Sequence, residues 1–200
     1  MQLVLATNNE DKIKEIKHLL DDLPITILTR DDFLEFPDVE ETGETLEDNA
    51  LLKAKAIFEF TDIPALADDT GLEVDALNGA PGVYSARFAG DNVTYKDNNL
   101  KLIKELQDIP DDKRTAQFRC VMALAWSEDN IEVVNGIVEG VIANELKGDK
   151  GFGYDPLFYY PPSQKRFSEM TTEEKNIISH RGKALQEIRT VIINKLNNLL

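Results

Sequence analysis

Cysteine, histidine and tryptophan are scarce in this 200-residue chain, which has one, two and one of them respectively. A lone cysteine, Cys120, cannot form an internal disulfide, which is consistent with a reducing compartment. The sequence has no Cys/His pairs at zinc spacing, no nucleophile elbow with a Ser-His-Asp order, and no P-loop or Rossmann fingerprint. Because only His18 and His180 are available, a carboxylate is the better candidate for a catalytic base.

Long apolar runs and an excess of basic charge are also missing. No run approaches the roughly 20 residues of a membrane span, and Met1–Ala6 lacks the basic start of a secretory signal. We therefore predict a cytoplasmic protein without a membrane partner. Lys and Arg number 22 against 37 Asp and Glu, a net charge of −15, so no nucleic acid polymer is expected as a partner. A nucleotide is compatible with this charge because it needs only local cations, a helix N-terminus or a metal.

The residues that are present predict one α/β domain over residues 1–200 with a mixed sheet. Hydrophobic residues make up 42% of the chain, enough for a core. Strands are expected at 3–6, 24–28, 64–68 with a continuation over 72–77 after a kink at Gly71, 116–126 and 131–143 as a hairpin, and just after Pro156. Helices are expected at 9–20, 45–60, 94–106 and 179–200, with an acidic loop at 36–44.

The turn after the first strand, Thr7-Asn8-Asn9, leads into a helix that has Lys12 in its first turn. A helix N-terminus offers backbone N–H groups and the positive end of a dipole. This pattern favours a phosphate ligand, and an ordinary capped helix start is the alternative.

An acidic loop contains Glu40-Glu41-Thr42-Gly43, and Lys53 lies on the helix that follows it. Mg²⁺ keeps most of its waters and takes only one or two protein carboxylates. The loop is therefore a candidate metal site, and a solvated acidic loop is the alternative.

The stretch Asp68-Asp69-Thr70-Gly71 follows the apolar pair Leu66-Ala67. Two carboxylates at the end of a buried strand are costly unless cations or hydrogen bonds compensate them. Strand ends in α/β sheets are also common ligand sites. Because neighbouring strand residues point to opposite faces, one of the two aspartates is the better candidate for the reacting centre. A turn-capping aspartate pair is the alternative.

Glycines flank an aromatic ring in Gly151-Phe152-Gly153-Tyr154-Asp155-Pro156. An exposed ring held by such a turn could stack on a nucleobase. A glycine turn around a core aromatic is the alternative.

The last helix begins at Ser179-His180-Arg181, with Lys175 just before it. Donor or cationic groups are unfavourable at the positive end of a helix dipole, so an acceptor-rich ligand would explain them. The alternative is a solvated helix start.

In this order and combination, these segments resemble the inosine triphosphate pyrophosphatase family over essentially the whole chain. The motifs that carry the resemblance are Thr7-Asn8-Asn9…Lys12, Glu40-Glu41-Thr42-Gly43, Glu47-x-Asn49-Ala50…Lys53-Ala54, Ala67-Asp68-Asp69-Thr70-Gly71, Gly79-Ala80-Pro81-Gly82-x-Tyr84-Ser85-Ala86-Arg87, Gly151-Phe152-Gly153-Tyr154-Asp155-Pro156 and Ser179-His180-Arg181-Gly182.

The resemblance implies a long mixed sheet with helices on its faces, two lobes enclosing a central cleft, and a homodimer. The implied reaction is the hydrolysis of ITP, dITP and XTP to the monophosphate and pyrophosphate, which removes them before incorporation into DNA or RNA. Asp69 is implied as proton acceptor and metal ligand, with Glu40 also holding Mg²⁺ and Asp68 in support. The implied substrate-binding residues are Thr7, Asn8, Asn9, Glu10, Asp11, Lys12 and Lys53 for the phosphates, and Thr70, Phe152, Gly153, Tyr154, Asp155, Lys175, His180 and Arg181 for the nucleoside.

Base selection has a chemical rationale in this scheme. Hypoxanthine and xanthine carry an oxygen at position 6, where adenine carries an amino group, so a donor such as Arg181 aimed there would be left unpaired by adenine. Two alternatives stay open: a pyrophosphatase for modified pyrimidine or standard nucleoside triphosphates, and a sensor that binds a nucleotide without cutting it.

Overall fold

A computed structural model describes residues 1–198, which form seven strands and five α-helices. The strands are β1 (Gln2–Leu5), β2 (Thr26–Leu28), β3 (Ala65–Val74), β4 (Thr115–Ser127), β5 (Asn130–Ile142), β6 (Phe158–Tyr160) and β7 (Lys165–Arg166). The helices are α1 (Glu10–Leu20), α2 (Leu46–Thr61), α3 (Tyr95–Glu105), α4 (Thr172–Ile178) and α5 (His180–Asn197).

The strands form one sheet in the order β2-β1-β3-β4-β5-β6-β7. Strand β1 is parallel to both neighbours, and its residue Val4 pairs with Leu28 on one side and Ala65 on the other. At the opposite end, β6 is antiparallel to β5 and β7. The predicted α/β fold with a mixed sheet is therefore confirmed.

Side-chain caps define where the helices begin. Thr45 and Thr94 each accept a hydrogen bond from the backbone N–H three residues on, and the aspartate at that position accepts one from the cap's own N–H. This reciprocal pair satisfies two backbone donors that a helix start leaves without partners. The helices predicted to start at these positions are confirmed.

Among the described residues, one compact unit comprises 1–69, 120–135 and 183–198. Its core is formed by buried residues of β1, α1, β3, β4 and α5, namely Leu3, Leu5, Ile16, Leu20, Leu66, Cys120, Met122, Leu124, Ala184, Leu185, Ile188 and Ile192. Cys120 is fully buried in this core, as its apolar sequence context indicates.

A second compact unit comprises residues 70–119 and 136–182. Its core contains an aromatic group, in which the Phe118 ring lies 4.6 Å from Phe158 and 6.0 Å from Phe167, centroid to centroid. The same core also contains Leu72, Val74, Leu102, Leu106, Ala116, Val138, Ile142, Tyr154, Leu157 and Met170.

The predicted set of elements needs one correction and two additions. The strand predicted over 64–68, with a continuation over 72–77 after a kink at Gly71, is one strand from Ala65 to Val74. The predicted interruption is therefore wrong, and Asp75–Leu77 form a 3-10 helix instead of strand. Helix α4 and strand β7 were not predicted. The predicted C-terminal helix is confirmed to Asn197, and residues 199–200 lie outside the described chain. The cleft between two lobes of one domain stays a prediction.

None of the helices within residues 1–198 combines the length and the apolar character of a membrane span.

Candidate active site

The turn between β1 and α1 is capped by its own side chains. Asn9 Oδ1 accepts hydrogen bonds from the backbone N–H of Asp11 at 3.0 Å and of Lys12 at 3.2 Å, and Asn9 N–H donates to Thr7 Oγ1 at 3.3 Å. Two first-turn amides are therefore bonded to the cap, which corrects the expectation that they are free for a ligand. Glu10 is exposed. Phosphate binding by Thr7–Lys12 stays a prediction.

The acidic loop is attached to this turn by a shared carboxylate. Asp38 Oδ1 accepts a hydrogen bond from Asn8 Nδ2 at 3.2 Å and from Arg30 Nη1 at 2.9 Å. All three side chains are largely exposed, so the contribution of the ion pair to stability is small. The contacts of Asp38 hold this part of the acidic loop beside the turn between β1 and α1.

Lys12 holds the first aspartate of β3. Its Nζ lies 3.1 Å from Asp68 Oδ2, and the Asp68 side chain is completely buried. The Lys12 side chain therefore reaches from the first turn of α1 to the middle of β3. A buried carboxylate is tolerated when a cation lies this close.

Lys53 on α2 binds three oxygens at once. Its Nζ donates to Asp69 Oδ1 at 3.0 Å, to Glu41 Oε1 at 2.9 Å and to the Asp68 backbone oxygen at 2.8 Å. The ammonium group therefore joins the acidic loop to strand β3. Asn49, one turn earlier on α2, donates from Nδ2 to Asp69 Oδ2 at 3.5 Å.

The electrostatics of this cluster follow from three carboxylates facing two ammonium groups. Burial raises the pKa of Asp69, although Lys53 and Lys12 act in the opposite direction. Burial by itself lowers the pKa of Lys53, but the attraction of Asp69, Glu41 and Asp68 outweighs it and the pKa is raised. Three carboxylates against two ammonium groups leave an excess of negative charge, which would attract a further cation near Asp69.

The oxygen donors of this cluster suit a magnesium ion whose remaining coordination positions are filled by other ligands. No group of three or more His, Cys, Asp or Glu side chains within residues 1–198 is arranged to hold a metal. Mg²⁺ binds by one or two carboxylates, with waters and substrate phosphates filling the remaining positions. Asp69 and Glu41, which share Lys53, provide that number of hard oxygen donors.

The two predicted magnesium ligands have different surroundings. Asp69 is buried within the cluster, whereas the side chain of Glu40 is exposed and its neighbour Glu41 forms the contact with Lys53. Both assignments stay predictions. The structure adds Glu41 and Asn49 to the residues around Asp69, which sequence reasoning did not place there because a loop has no periodicity to orient its side chains.

A second group of polar residues surrounds Phe152 in the other compact unit. Asp155 Oδ2 accepts hydrogen bonds from Lys175 Nζ at 2.7 Å and from the Phe152 backbone N–H at 3.0 Å. Lys175 Nζ also lies 4.9 Å from the centre of the Phe152 ring. The buried Asp155–Lys175 pair therefore fixes both the backbone and one side of the half-buried ring.

Arg181 and His180 are buried at the start of α5, with about 2% and 3% of their surface exposed. The alternative of a solvated helix start is therefore wrong, whereas nucleoside binding by His180 and Arg181 stays a prediction. Arg181 Nη2 donates to Thr70 Oγ1 at 3.2 Å, and its guanidinium lies 5.4 Å from the Phe152 ring centre. His180 stacks on Phe118, with ring centres 4.6 Å apart and planes 15° apart.

Tyr154 is directed into the core of its unit. Its hydroxyl donates to the Ser85 backbone oxygen at 2.8 Å, and burial raises its pKa well above the ordinary tyrosine value. The hydroxyl is therefore occupied, and nucleoside binding by Tyr154 and by Gly153 stays a prediction. Phe118, which stacks on His180, was not identified from the sequence as a neighbour of the site because it lies in an ordinary apolar strand.

Comparison with known proteins gives matches over nearly the whole of this chain. Residues 3–191 match the model of the Ham1 family. A protein of Desulforamulus reducens named dITP/XTP pyrophosphatase is 54% identical over 196 residues, 98% of this chain and 97% of that protein. A protein of the same name from Geobacter sulfurreducens is 49% identical over 92% of each chain.

Solved structures agree with these matches. A HAM1 protein from Coxiella burnetii has a TM-score of 0.90 and 44% identity, covering 97% of this chain and 99% of that one. The Staphylococcus aureus Ham1 protein has a TM-score of 0.87 and 38% identity, covering 98% and 100%.

Proposed function

Because the chain belongs to the Ham1 family, we propose that it hydrolyses the non-standard purine nucleotides dITP, ITP and XTP to the monophosphate and pyrophosphate. The observation that carries this proposal is the match, over nearly the whole of both chains, to proteins named dITP/XTP pyrophosphatase. Removal of these nucleotides before they enter DNA or RNA is the biological role that follows.

Asp69 is proposed as the group that accepts the proton of the attacking water. Water forms a bond to the α-phosphorus, the bond from that phosphorus to the bridging oxygen breaks, and pyrophosphate leaves with its electron pair. A buried carboxylate whose pKa is raised binds a proton more readily than an exposed one, and this supports the role. Lys53 Nζ at 3.0 Å from Asp69 Oδ1 keeps the carboxylate in place.

Lys12 and Lys53 are proposed to bind the phosphates together with the turn Thr7–Lys12. Both lysines are bonded to β3 carboxylates, so their ammonium groups are already oriented before a nucleotide arrives, which lowers the cost of binding. Negative charge that develops on the leaving pyrophosphate would be stabilised by these cations.

Asp69 and Glu40 are proposed to hold Mg²⁺, which when bound would neutralise phosphate charge. Glu40→Gln is expected to raise the Mg²⁺ concentration for half-maximal activity, whereas Glu41→Gln should alter it less. If only Glu41→Gln raised that concentration, the second ligand would be Glu41.

The nucleoside is proposed to bind near Phe152, Thr70, Lys175, His180 and Arg181, with Asp155 fixing Lys175. The charge and donors of Arg181, buried beside Thr70 and Phe152, support recognition of a 6-oxo purine.

A homodimer and a cytoplasmic location are also proposed, and light scattering should give twice the mass of one chain.

The decisive experiment is a substrate panel of dITP, ITP, XTP, GTP, ATP and dUTP at equal concentration, with and without Mg²⁺. We expect pyrophosphate from the first three and almost no product without the metal. Release of orthophosphate would indicate attack at the γ-phosphorus and a different enzyme. Preference for dUTP or ATP would assign a different nucleotide class, and binding without any turnover would identify a sensor.

A further inference from the structure

The first turn of α3 is attached to the Phe152 segment, Gly151–Asp155, at two points. The rings of Tyr95 and Phe152 are in contact, with centres 6.0 Å apart and planes tilted by 41°. One turn further along α3, Asn99 Nδ2 donates to the Gly153 backbone oxygen at 2.8 Å and to the Tyr95 backbone oxygen at 2.8 Å. The Asn99 amide thus joins the backbone of Tyr95 to that of the residue after Phe152.

The orientation of the Asn99 amide is determined by chemistry. Both of its partners are carbonyl oxygens, which only accept hydrogen bonds, so the nitrogen must face them. Its Oδ1 is buried and has no hydrogen-bond partner among residues 1–198, an arrangement that is unfavourable by itself. The two donated bonds are therefore what holds this side chain in place, and an aspartate of the same shape could not form them.

We propose that Tyr95 and Asn99 are positioning residues that fix the Phe152 ring and, through it, the purine base. This inference rests on the proposed function for the part that concerns the base. Lys175 and Arg181 lie over the ring and Asp155 binds its backbone N–H. Tyr95 and Asn99 add restraint from α3, at the ring and at the neighbouring carbonyl.

Tyr95 allows positioning to be separated from a structural role. Its side chain is 44% exposed, so truncation leaves no closed cavity in the core. Tyr95→Ala is expected to raise the KM for dITP about threefold to tenfold, the range of a lost aromatic pair, with kcat within about twofold. Tyr95→Phe keeps the ring contact and should leave both constants unchanged.

Asn98 provides a matched control for Asn99. It is buried in the same turn, but its Nδ2 donates to the Ala86 oxygen at 3.0 Å and its Oδ1 accepts from the Ala89 N–H at 2.7 Å, so it does not touch Gly151–Asp155. Asn99→Asp should raise the KM for dITP in the same way as Tyr95→Ala. Asn98→Asp should not raise it, and an equal rise in both would overturn the proposal by showing a general disturbance of α3.

Hydrogen–deuterium exchange gives a second measurement that does not depend on turnover. Backbone amides of Gly151–Asp155 are expected to exchange several times faster in Tyr95→Ala and Asn99→Asp than in the wild type, and at the wild-type rate in Tyr95→Phe. If the wild type hydrolyses no nucleotide while exchange changes as expected, the proposed function fails and the restraint on the segment stands. If the wild type is active and Tyr95→Ala changes neither KM nor exchange, the positioning role is overturned.

Discussion

Lys53 is the residue on which the acidic cluster depends, because its ammonium group contacts Asp69, Glu41 and the Asp68 backbone at once. Its side chain is buried, and so is that of Asp69. Removing Lys53 leaves the buried Asp69 carboxylate uncompensated, whereas replacing Asp69 by Asn leaves Lys53 paired with Glu41. Function and stability can therefore be separated by substitutions at these two positions.

Asp69→Asn is expected to lower the rate of pyrophosphate release from dITP by about a thousandfold or more, because the proposed base is lost. The melting temperature is not expected to fall. Because burial raises the pKa of Asp69, the folded protein holds this proton more tightly than the unfolded chain. Ionisation therefore costs stability as the pH rises from the unfolded value through the folded value, and a neutral amide avoids that cost at neutral pH.

The measurements for Asp69→Asn are a pyrophosphate assay with Mg²⁺ and a thermal melt in metal-free buffer. Near-wild-type turnover would exclude Asp69 as the base. A large fall in melting temperature would mean that the ionised carboxylate stabilises the fold.

Lys53→Met is expected to lower the free energy of unfolding by about 3 kcal/mol, the cost of breaking a buried pair. Urea titration measures this change. Adding Asp69→Asn to Lys53→Met should recover part of the loss, because one uncompensated carboxylate is removed. Strictly additive effects would contradict the coupling inferred from the 3.0 Å contact between Lys53 and Asp69.

At the scale of elements, the junction between α4 and α5 determines where His180 and Arg181 lie. A Cβ atom on Gly182 would meet the Asn176 backbone oxygen at 1.8 Å. The start of α5 therefore approaches the backbone of α4 more closely than any other residue allows. Ser179 Oγ accepts a hydrogen bond from the Gly182 N–H at 3.0 Å and caps the helix there.

Gly182→Ala is expected to destabilise the protein by about 1–3 kcal/mol and to raise the KM for dITP, since α5 must move and take Arg181 with it. Urea titration and steady-state kinetics measure the two effects. Lys183→Ala is the control, because Lys183 is exposed in the same turn. Unchanged kinetics in Gly182→Ala would show that the position of Arg181 does not depend on this contact.

The elements that could be predicted from sequence are those with strong periodicity or side-chain caps. Helices α1, α2, α3 and α5 and the β4–β5 hairpin belong to this group. Helix α4 has only seven residues and Ile177 and Ile178 as its apolar residues, too few for a helical pattern. The expected break in β3 failed because Asp69 is balanced by Lys53 and strand geometry is kept through Gly71.

The candidate site was predictable as a set of residues and not as a set of contacts. Asp68, Asp69, Lys12 and Lys53 were all identified, but their pairing depends on how α1 and α2 pack on β3. Glu40 and Glu41 are adjacent carboxylates in an irregular loop, so no pattern distinguishes them. Tyr95 and Asn99 were missed because their partners are 50 or more residues away in sequence, and local patterns do not reach that far.

At the scale of the whole molecule, the net charge of −15 dominates the electrostatics. Like charges repel one another and oppose compaction, and salt screens that repulsion beyond about 10 Å at 0.1 M. Surface ion pairs such as Lys165–Glu174 are also screened, but each contributes little. Screening should therefore stabilise the folded state.

The melting temperature is expected to rise when NaCl is increased from about 0.05 M to about 0.5 M in metal-free buffer. Choline chloride at the same ionic strength is the control, because it screens charge without offering a small cation for the acidic cluster. A melting temperature that falls with either salt would mean that attractive ion pairs outweigh the net repulsion.

The core that contains β1 and α1 also contains Ala184, Leu185, Ile188 and Ile192 from α5. These residues are synthesised long after residues 1–69, which contribute the first part of the same unit. At typical synthesis speeds the delay is on the order of ten seconds. During that interval the apolar faces of β1 and α1 lack the α5 residues that complete their core, so this unit can finish folding only after α5 has left the ribosome.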